Sequence, residues 1–181
     1  FAPAIGHVQE KGDYRESWQP CPLAPGALEE AQRMAGLVTK ALGGAGLWGV
    51  EFFVMRDGSV VFSELSPRPH DTGMVTLADT QTRHEFALHA RAILGLPVPP
   101  IELLAEGASA VLLGETPIAD PVVVGIADAM ADPGVDVRVF GKPESYAGRR
   151  MAVALARGEN ARERARAAAA KLGLAPRSAH D

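Results

Sequence analysis

The sequence predicts an α+β protein, with helices and an antiparallel sheet in its first part and a small, mainly β part at its end. Apolar residues recur at helical spacing between residues 28 and 42. An Asp-Gly pair at residues 57–58, flanked by alternating apolar residues, is typical of a two-residue hairpin turn. After residue 100 the pattern changes to short apolar runs separated by turn residues, which favours strands.

The elements of the first half follow from the turn-forming residues between them. Residues 1–9 predict a short interrupted strand, and residues 10–25 predict a loop. The first helix starts near Leu28 and ends at the two glycines that begin at Gly43. The hairpin follows over about 47–65, and two prolines and a glycine then predict a loop over 66–73.

A proline-rich linker divides the second half from the first. A helix is expected over about 82–95, and the linker at 96–100 suggests two parts, residues 1–96 and residues 97–174. Asn160 and Glu163 form the pattern of a capping box at the start of the last helix. The remaining predictions are strands over about 108–114, 135–140 and 150–156, a short helix near 124–131, and a loose tail over 175–181.

Composition excludes several classes of protein. The chain has 181 residues, of which 47% are hydrophobic and 22% charged, as in ordinary globular proteins. A net charge of −4 argues against a general nucleic-acid or anionic-membrane binder, and no stretch is long and apolar enough for a membrane-spanning helix. A single cysteine excludes an internal disulfide and suits the reducing cytoplasm. Because the first residue is Phe1, we expect a piece of a longer protein.

The predicted hairpin brings two carboxylates face to face. With a two-residue turn at 57–58, Glu51 and Glu64 become direct cross-strand partners. Their Cβ atoms would then lie about 4.5–5.5 Å apart, a separation at which like charges destabilise a sheet. A divalent cation would neutralise this repulsion. Ion pairs with an arginine such as Arg68, or a longer turn with a different register, are the alternatives.

The same register predicts the rest of the hairpin. Phe53 would oppose Phe62 on the face of the glutamates, and Val54 would oppose Val61 on the other face. Both faces are then largely apolar, as in a sheet that is covered on both sides. Ionised carboxylates are costly in such surroundings unless they are paired or bound to a ligand.

A basic group lies on a predicted loop near the end of the chain. Lys142, Arg149 and Arg150 fall within nine residues, beside turn-forming glycines and a proline. Such a group suits an anion, and arginine suits phosphate through paired hydrogen bonds. An exposed basic turn is the alternative. The sequence contains no glycine-rich Walker or GxGxxG loop, and therefore no complete phosphate cradle for a nucleotide.

These motifs together resemble a known family. The runs Gly49-Val50-Glu51-Phe52-Phe53-Val54 and Phe62-Ser63-Glu64-Leu65-Ser66-Pro67-Arg68 resemble the carboxy-terminal half of ATP-grasp enzymes of purine synthesis. Three further segments resemble the formate-dependent phosphoribosylglycinamide formyltransferases: residues 13–20, Pro69-His70-Asp71-Thr72-Gly73 and Phe140-Gly141-Lys142-Pro143-Glu144. The similarity runs from about residue 1 to residue 174. It implies the carboxy-terminal part of an ATP-grasp domain over 1–96 and a small mainly-β subdomain over 97–174.

The resemblance also implies ligands and site residues. Glu51 and Glu64 would hold Mg²⁺ ions that bridge the phosphates of ATP, whereas Ser66 stands where many ATP-grasp enzymes carry an asparagine ligand. Arg68 would stabilise the transferring phosphoryl group, as a hypothesis for a catalytic residue. Phe53 and Phe62 would form an apolar floor beneath the nucleotide, or else pack in the core. The residues that would bind the 5-phosphoribosylglycinamide substrate are Asp71, Lys142, Arg149 and Arg150.

The implied reaction joins formate to the amine of 5-phosphoribosylglycinamide, with ATP as co-substrate and formyl phosphate as intermediate. The resemblance further implies a cytoplasmic homodimer, and an isolated chain that is inactive because the relatives' first half binds the adenine. One alternative is the ATP-grasp carboxylase that makes carboxyaminoimidazole ribonucleotide, but its loop typically continues Asn-Ser-Gly where this chain has Asp71-Thr72-Gly73. The other is a non-catalytic binding domain derived from the ATP-grasp fold.

Overall fold

A computed structural model describes residues 1–177 and shows antiparallel sheets with helices, as the sequence predicts. The first half consists of β1 Gly6–Glu10, β2 Asp13–Gln19, α1 Pro25–Leu42, β3 Gly49–Val54, β4 Val60–Ser66, a 3₁₀ segment Asp71–Ala78 and α2 Glu85–Ile93. The second half consists of β5 Gly107–Leu113, β6 Ile118–Ala119, β7 Pro121–Val124, α3 Ile126–Ala129, β8 Val135–Val139, β9 Glu144–Ser145, β10 Arg150–Arg157, α4 Ala161–Ala169 and β11 Gly173–Pro176.

One five-stranded antiparallel sheet joins the two predicted parts. Its order is β1-β2-β5-β10-β8, so β2 from the first part pairs with β5 from the second. Alternate residues of β10 point to opposite faces, as the period of a strand requires. Ala154 and Ala156 pack with α4, whereas Val153 and Leu155 pack with Ala78 of the 3₁₀ segment. The division at residue 97 stays a prediction, but strand pairing crosses it.

The hairpin of β3 and β4 pairs Glu51 with Glu64, and this prediction is confirmed. The predicted two-residue turn is wrong. The Met55 N–H donates to the Ser59 carbonyl at 2.8 Å, which makes a three-residue loop in which Gly58 takes the left-handed conformation at φ +85°. The extra loop residue shifts the pairing by one, and a bulge at residue 63 shifts it back before Glu64.

The two irregularities make the predicted pairs that lie between them wrong, namely Phe53 with Phe62 and Val54 with Val61. Phe52, not Phe53, opposes Phe62, and their rings meet edge to face with centroids 6.0 Å apart. Phe53 opposes Val61. The expected cover on both faces is also wrong, since Phe53 is 61% exposed and Met55 51% exposed in this separate two-stranded sheet.

Three local predictions are wrong. Residues 13–19 form β2 rather than a loop, because the inward side of this strand carries polar residues such as Glu16, which pairs with Arg162 and Arg166 of α4. Asn160 adopts a left-handed backbone and makes no side-chain cap. The predicted tail is wrong at its beginning, where residues 175–176 pair with β7, and residues 178–181 lie outside the described part.

The segment after the hairpin is more regular than expected. The loop predicted over 66–73 gives way to the 3₁₀ segment at Asp71, whose buried residues include Val75 and Ala78. This segment packs against the central sheet through Ala78, which contacts Val153 and Leu155 of β10. Within residues 1–177, none of the helices combines the length and apolarity needed to cross a bilayer.

Candidate active site

A histidine lies between the two glutamates. His70 Nδ1 is 3.4 Å from Glu51 Oε1, and His70 Nε2 is 3.3 Å from Glu64 Oε1. The three side chains offer ligand atoms that all lie within 4.8 Å of one another. Glu51 is buried at 8% exposure, whereas the Glu64 side chain is exposed. The cluster therefore has a buried floor and an open side.

The surroundings of Glu51 come from β1. His7 Nε2 lies 3.8 Å from Glu51 Oε1, and Gln9 donates to Glu51 Oε2 at 3.5 Å. Glu51 Oε1 is nevertheless buried and receives no hydrogen bond from the described residues. The alternative of an arginine partner is wrong for Arg68, which donates instead to the carbonyl of Pro69 at 3.0 Å.

These residues fit a hard divalent cation. Mg²⁺ takes oxygen ligands and is commonly held by one or two carboxylates together with phosphates. A buried carboxylate oxygen without a hydrogen bond is costly, and a cation beside it would remove that cost. Glu51 and Glu64 are therefore suited to be ligands. His70 is suited to orient the two carboxylates.

The predicted substrate residues form a second cluster. Asp71 and Arg150 make an ion pair that joins the 3₁₀ segment to the start of β10. Arg149 pairs with Glu144 at 2.9 Å, and its guanidinium lies 4.9 Å from the ring centre of Tyr146. These two contacts restrain the Arg149 side chain, and Arg149 directly precedes Arg150 in the chain.

Lys142 completes this cluster. Its ammonium lies 5.8 Å from the ring centre of Phe140. Partial burial lowers the pKa of Lys142, and the charge of Arg149 lowers it further. Lys142 thus lies close to Arg149, and the neighbouring Arg150 pairs with Asp71, which is distant in the sequence. Cations gathered in this way suit a phosphate.

The two clusters adjoin because consecutive residues connect them. His70 belongs to the glutamate cluster and Asp71 to the basic cluster, and their Cα atoms are about 3.8 Å apart across one peptide bond. Phe53, Phe62 and Arg68 lie on or beside the hairpin. The roles of Arg68 and Phe53 stay predictions. The prediction that Phe62 lies on the face of the glutamates is wrong, because Phe62 pairs with Phe52 on the opposite face.

Sequence reasoning missed two residues of the site. His70 was part of the motif but had no predicted role. Glu85, in the first turn of α2, is buried at 5% exposure and accepts the His70 backbone N–H at 2.8 Å. Burial raises the pKa of Glu85 to about 7, although the hydrogen bond from His70 and the charge of Arg68 oppose the increase. A glutamate at a helix start is usually solvated, so nothing in the sequence marked it.

Two protein families match successive parts of this chain. The ATP-grasp domain family matches residues 1–86, and the family described as "PurT, C-terminal" matches residues 107–172. A formate-dependent phosphoribosylglycinamide formyltransferase from Anaeromyxobacter dehalogenans is 61% identical over 182 residues. The chain is an ATP-grasp homologue of these formyltransferases. The resemblance predicted from the motifs is therefore confirmed, as is the fold class.

The similarity covers only part of the relatives. The match includes 97% of this chain but 46% of the Anaeromyxobacter dehalogenans protein, so the chain spans less than half of that relative's length. Among solved structures, glycinamide-RNase-transformylase T from Mycobacterium tuberculosis matches with a TM-score of 0.77 at 36% identity, over 95% of this chain and 45% of that one. N5-carboxyaminoimidazole ribonucleotide synthetase from Thermotoga maritima matches with a TM-score of 0.80 at 30% identity, over 89% and 46%.

Proposed function

We propose that this chain supplies the metal-binding and ribonucleotide-binding part of an enzyme that formylates 5-phosphoribosylglycinamide with formate and ATP. The observation that carries the proposal is the junction of two clusters at residues 70–71. A carboxylate pair suited to Mg²⁺ adjoins a basic surface suited to a phosphate. The names of the relatives support the same reaction.

The residues have distinct tasks in this reaction. Phosphoryl transfer depends mainly on positioning and on neutralising charge, and bound Mg²⁺ supplies that neutralisation at the ATP phosphates. Glu51 and Glu64 hold the ion, and neither needs to act as a base. Arg68 lies in the loop that follows Glu64, where it stabilises the phosphoryl group.

The basic cluster binds the ribonucleotide. Lys142, Arg149 and Arg150 clamp its 5-phosphate, and Asp71 holds Arg150 toward that phosphate while offering its own oxygen to the glycinamide end. Arg149 is already oriented by Glu144 and Tyr146, so little side-chain freedom is lost when the phosphate binds. Formate takes the γ-phosphoryl group of ATP to give formyl phosphate and ADP. The substrate amine then attacks the formyl carbon, inorganic phosphate leaves, and the amine loses a proton. Phe53, which shares a face of the hairpin with Glu51, contributes apolar surface beneath the nucleotide, whereas Phe62 lies on the opposite face with Phe52.

The test uses a chimeric enzyme in which this chain replaces the matching part of the Anaeromyxobacter dehalogenans relative. We expect it to transfer radiolabelled formate to 5-phosphoribosylglycinamide with ATP. Arg149→Ala and Arg150→Ala should each raise the KM for the ribonucleotide about tenfold or more, the loss of a charged hydrogen bond. Arg138→Ala, which removes an arginine paired with Asp136 on β8, is the matched control. Unchanged KM in both site variants would contradict the phosphate clamp.

A carboxylase is the second candidate, because the Thermotoga maritima synthetase has the higher TM-score of the two structures compared. The chimera should use formate and not bicarbonate, and the reverse result would favour the carboxylase. A chimera that binds ribonucleotide without turnover would favour a non-catalytic binding domain. We further propose a cytoplasmic homodimer, to be checked by light scattering, and no turnover by the 181-residue chain alone.

A further inference from the structure

Glu85 contacts the backbone at His70, where the glutamate cluster and the basic cluster meet. Its Oε2 accepts the backbone N–H of His70 at 2.8 Å, and the carboxylate is buried at 5% exposure. That hydrogen bond is made by the main chain of the residue whose ring lies between the glutamates. The next residue, Asp71, carries the ion pair with Arg150. A single buried side chain, that of Glu85, therefore contacts the backbone that carries His70 and Asp71, one residue from each cluster.

The segment after His70 is shaped to receive this carboxylate. A Cβ atom placed on Gly73 would overlap Glu85 Oε2, so a larger residue there would displace this carboxylate. Thr76 closes the arrangement, because its hydroxyl donates to the Gly73 carbonyl at 2.7 Å and accepts the Glu85 backbone N–H at 3.0 Å. The carboxylate and the hydroxyl together fix the start of the 3₁₀ segment to the start of α2.

Apolar packing does not account for a carboxylate at this position. The second oxygen of Glu85, Oε1, is buried without a hydrogen-bond partner among the described residues. A buried polar atom of this kind costs stability, and an apolar side chain would avoid the cost. The hydrogen bond that Oε2 accepts from the His70 amide offsets this cost, because an apolar side chain would leave that amide without its acceptor.

We propose that Glu85 is a positioning residue for ribonucleotide binding: its carboxylate fixes residues 70–73 so that His70 and Asp71 keep their places in the two adjoining clusters. The inference rests on the proposed function for its kinetic consequence. The contact itself concerns only this chain. Loss of the acceptor frees the His70 amide, and Asp71 no longer holds Arg150 toward the phosphate.

The first experiment measures the contact in the 181-residue chain. Amide hydrogen exchange at His70 should accelerate at least tenfold in Glu85→Ala, because a free amide exchanges faster than one bonded to a buried acceptor. Glu85→Gln keeps an oxygen acceptor of the same shape and should restore most of the protection. Protection unchanged in Glu85→Ala would overturn the proposal, whatever the chemistry of the full enzyme.

The second experiment measures function in the chimeric enzyme. Glu85→Ala should raise the KM for 5-phosphoribosylglycinamide by about 10- to 100-fold, as expected for a buried donor left unpaired, with a smaller change in kcat. Glu85→Gln should return KM to within about threefold of the parent, since its oxygen replaces the acceptor.

Gln81→Ala is the matched control. Gln81 is also buried and hydrogen-bonded, to Gln19 and to the Arg83 carbonyl, but its side chain makes no hydrogen bond with residues 70–73. It should lower thermal stability and leave KM unchanged. If Glu85→Ala and Gln81→Ala change KM equally, or if Glu85→Gln does not rescue, the positioning role is wrong. If the parent chimera formylates nothing, the proposed function fails instead, and the exchange experiment still decides the contact.

Discussion

Replacing Glu51 with glutamine should make the metal-free chain more stable. Without a metal ion, the carboxylates of Glu51 and Glu64 repel each other, and glutamine removes one of the two charges. Carboxylate oxygens of Glu51 and Glu64 lie within 4.8 Å of each other. At that separation two unit charges repel by about 1 kcal/mol in a water-like medium and about 3 kcal/mol at an effective dielectric of 20. Glu64 is exposed, so the lower figure applies, and glutamine keeps the shape of Glu51. We expect a gain of about 1 kcal/mol.

The assay is urea unfolding of the 181-residue chain with a chelator present. For a slope of about 2 kcal/mol per molar urea, the midpoint of Glu51→Gln should rise by about 0.5 M. Glu29→Gln, at an exposed position of α1, changes the net charge equally and is the control. A midpoint that stays the same or falls in Glu51→Gln would show that the His7 and His70 contacts already satisfy this carboxylate, and the argument for a cation would fail.

Three further predictions concern pH, the basic cluster and the hairpin turn. The pKa of Glu85 rises on folding from 4.5 to about 7, so the folded state holds a proton that the unfolded state has lost. The contribution of Glu85 to the free energy of unfolding therefore falls by about 3 kcal/mol as pH rises from 4.5 to about 7. Denaturant curves from about pH 4.5 to 8 should show a smaller fall in Glu85→Gln than in the parent chain. Asp71→Asn and Arg150→Ala should be non-additive in the ribonucleotide KM of the chimera, with a coupling of about 0.5–3 kcal/mol in a double-mutant cycle; additivity would mean that the ion pair has no part in binding. Gly58→Val should destabilise the chain by about 1–2 kcal/mol, since φ is +85° there, and an unchanged urea midpoint would contradict the three-residue loop.

The hairpin shows which structural features the sequence pattern predicts and which it misses. The Asp-Gly signal correctly located the turn and the pairing of Glu51 with Glu64. It missed a three-residue loop and a bulge at residue 63, which cancel each other. A bulge depends on local twist and on what the strand packs against, and no periodicity reports it. The central prediction was therefore correct although two of the steps leading to it were wrong.

Burial of polar residues explains most of the remaining errors. β2 was predicted as a loop because its buried residues include Glu16 and Gln19, which are satisfied by partners far along the chain. Glu85 was missed for the same reason, since its acceptor role depends on a segment that precedes α2. The convergence of Asp71 and Arg150 required the family resemblance, because 79 positions of sequence separate them and spacing alone does not connect them.

Binding of a divalent cation by Glu51 and Glu64 tests the account most directly. Mn²⁺, whose bound and free forms differ in electron paramagnetic resonance, can be titrated into the chimeric enzyme with a non-hydrolysable ATP analogue. The parent should bind Mn²⁺ saturably, and Glu51→Gln and Glu64→Gln should each weaken binding at least tenfold, whereas Glu29→Gln should not. Equal Mn²⁺ affinity in the parent and both site variants would contradict the claim that this carboxylate pair is a metal site.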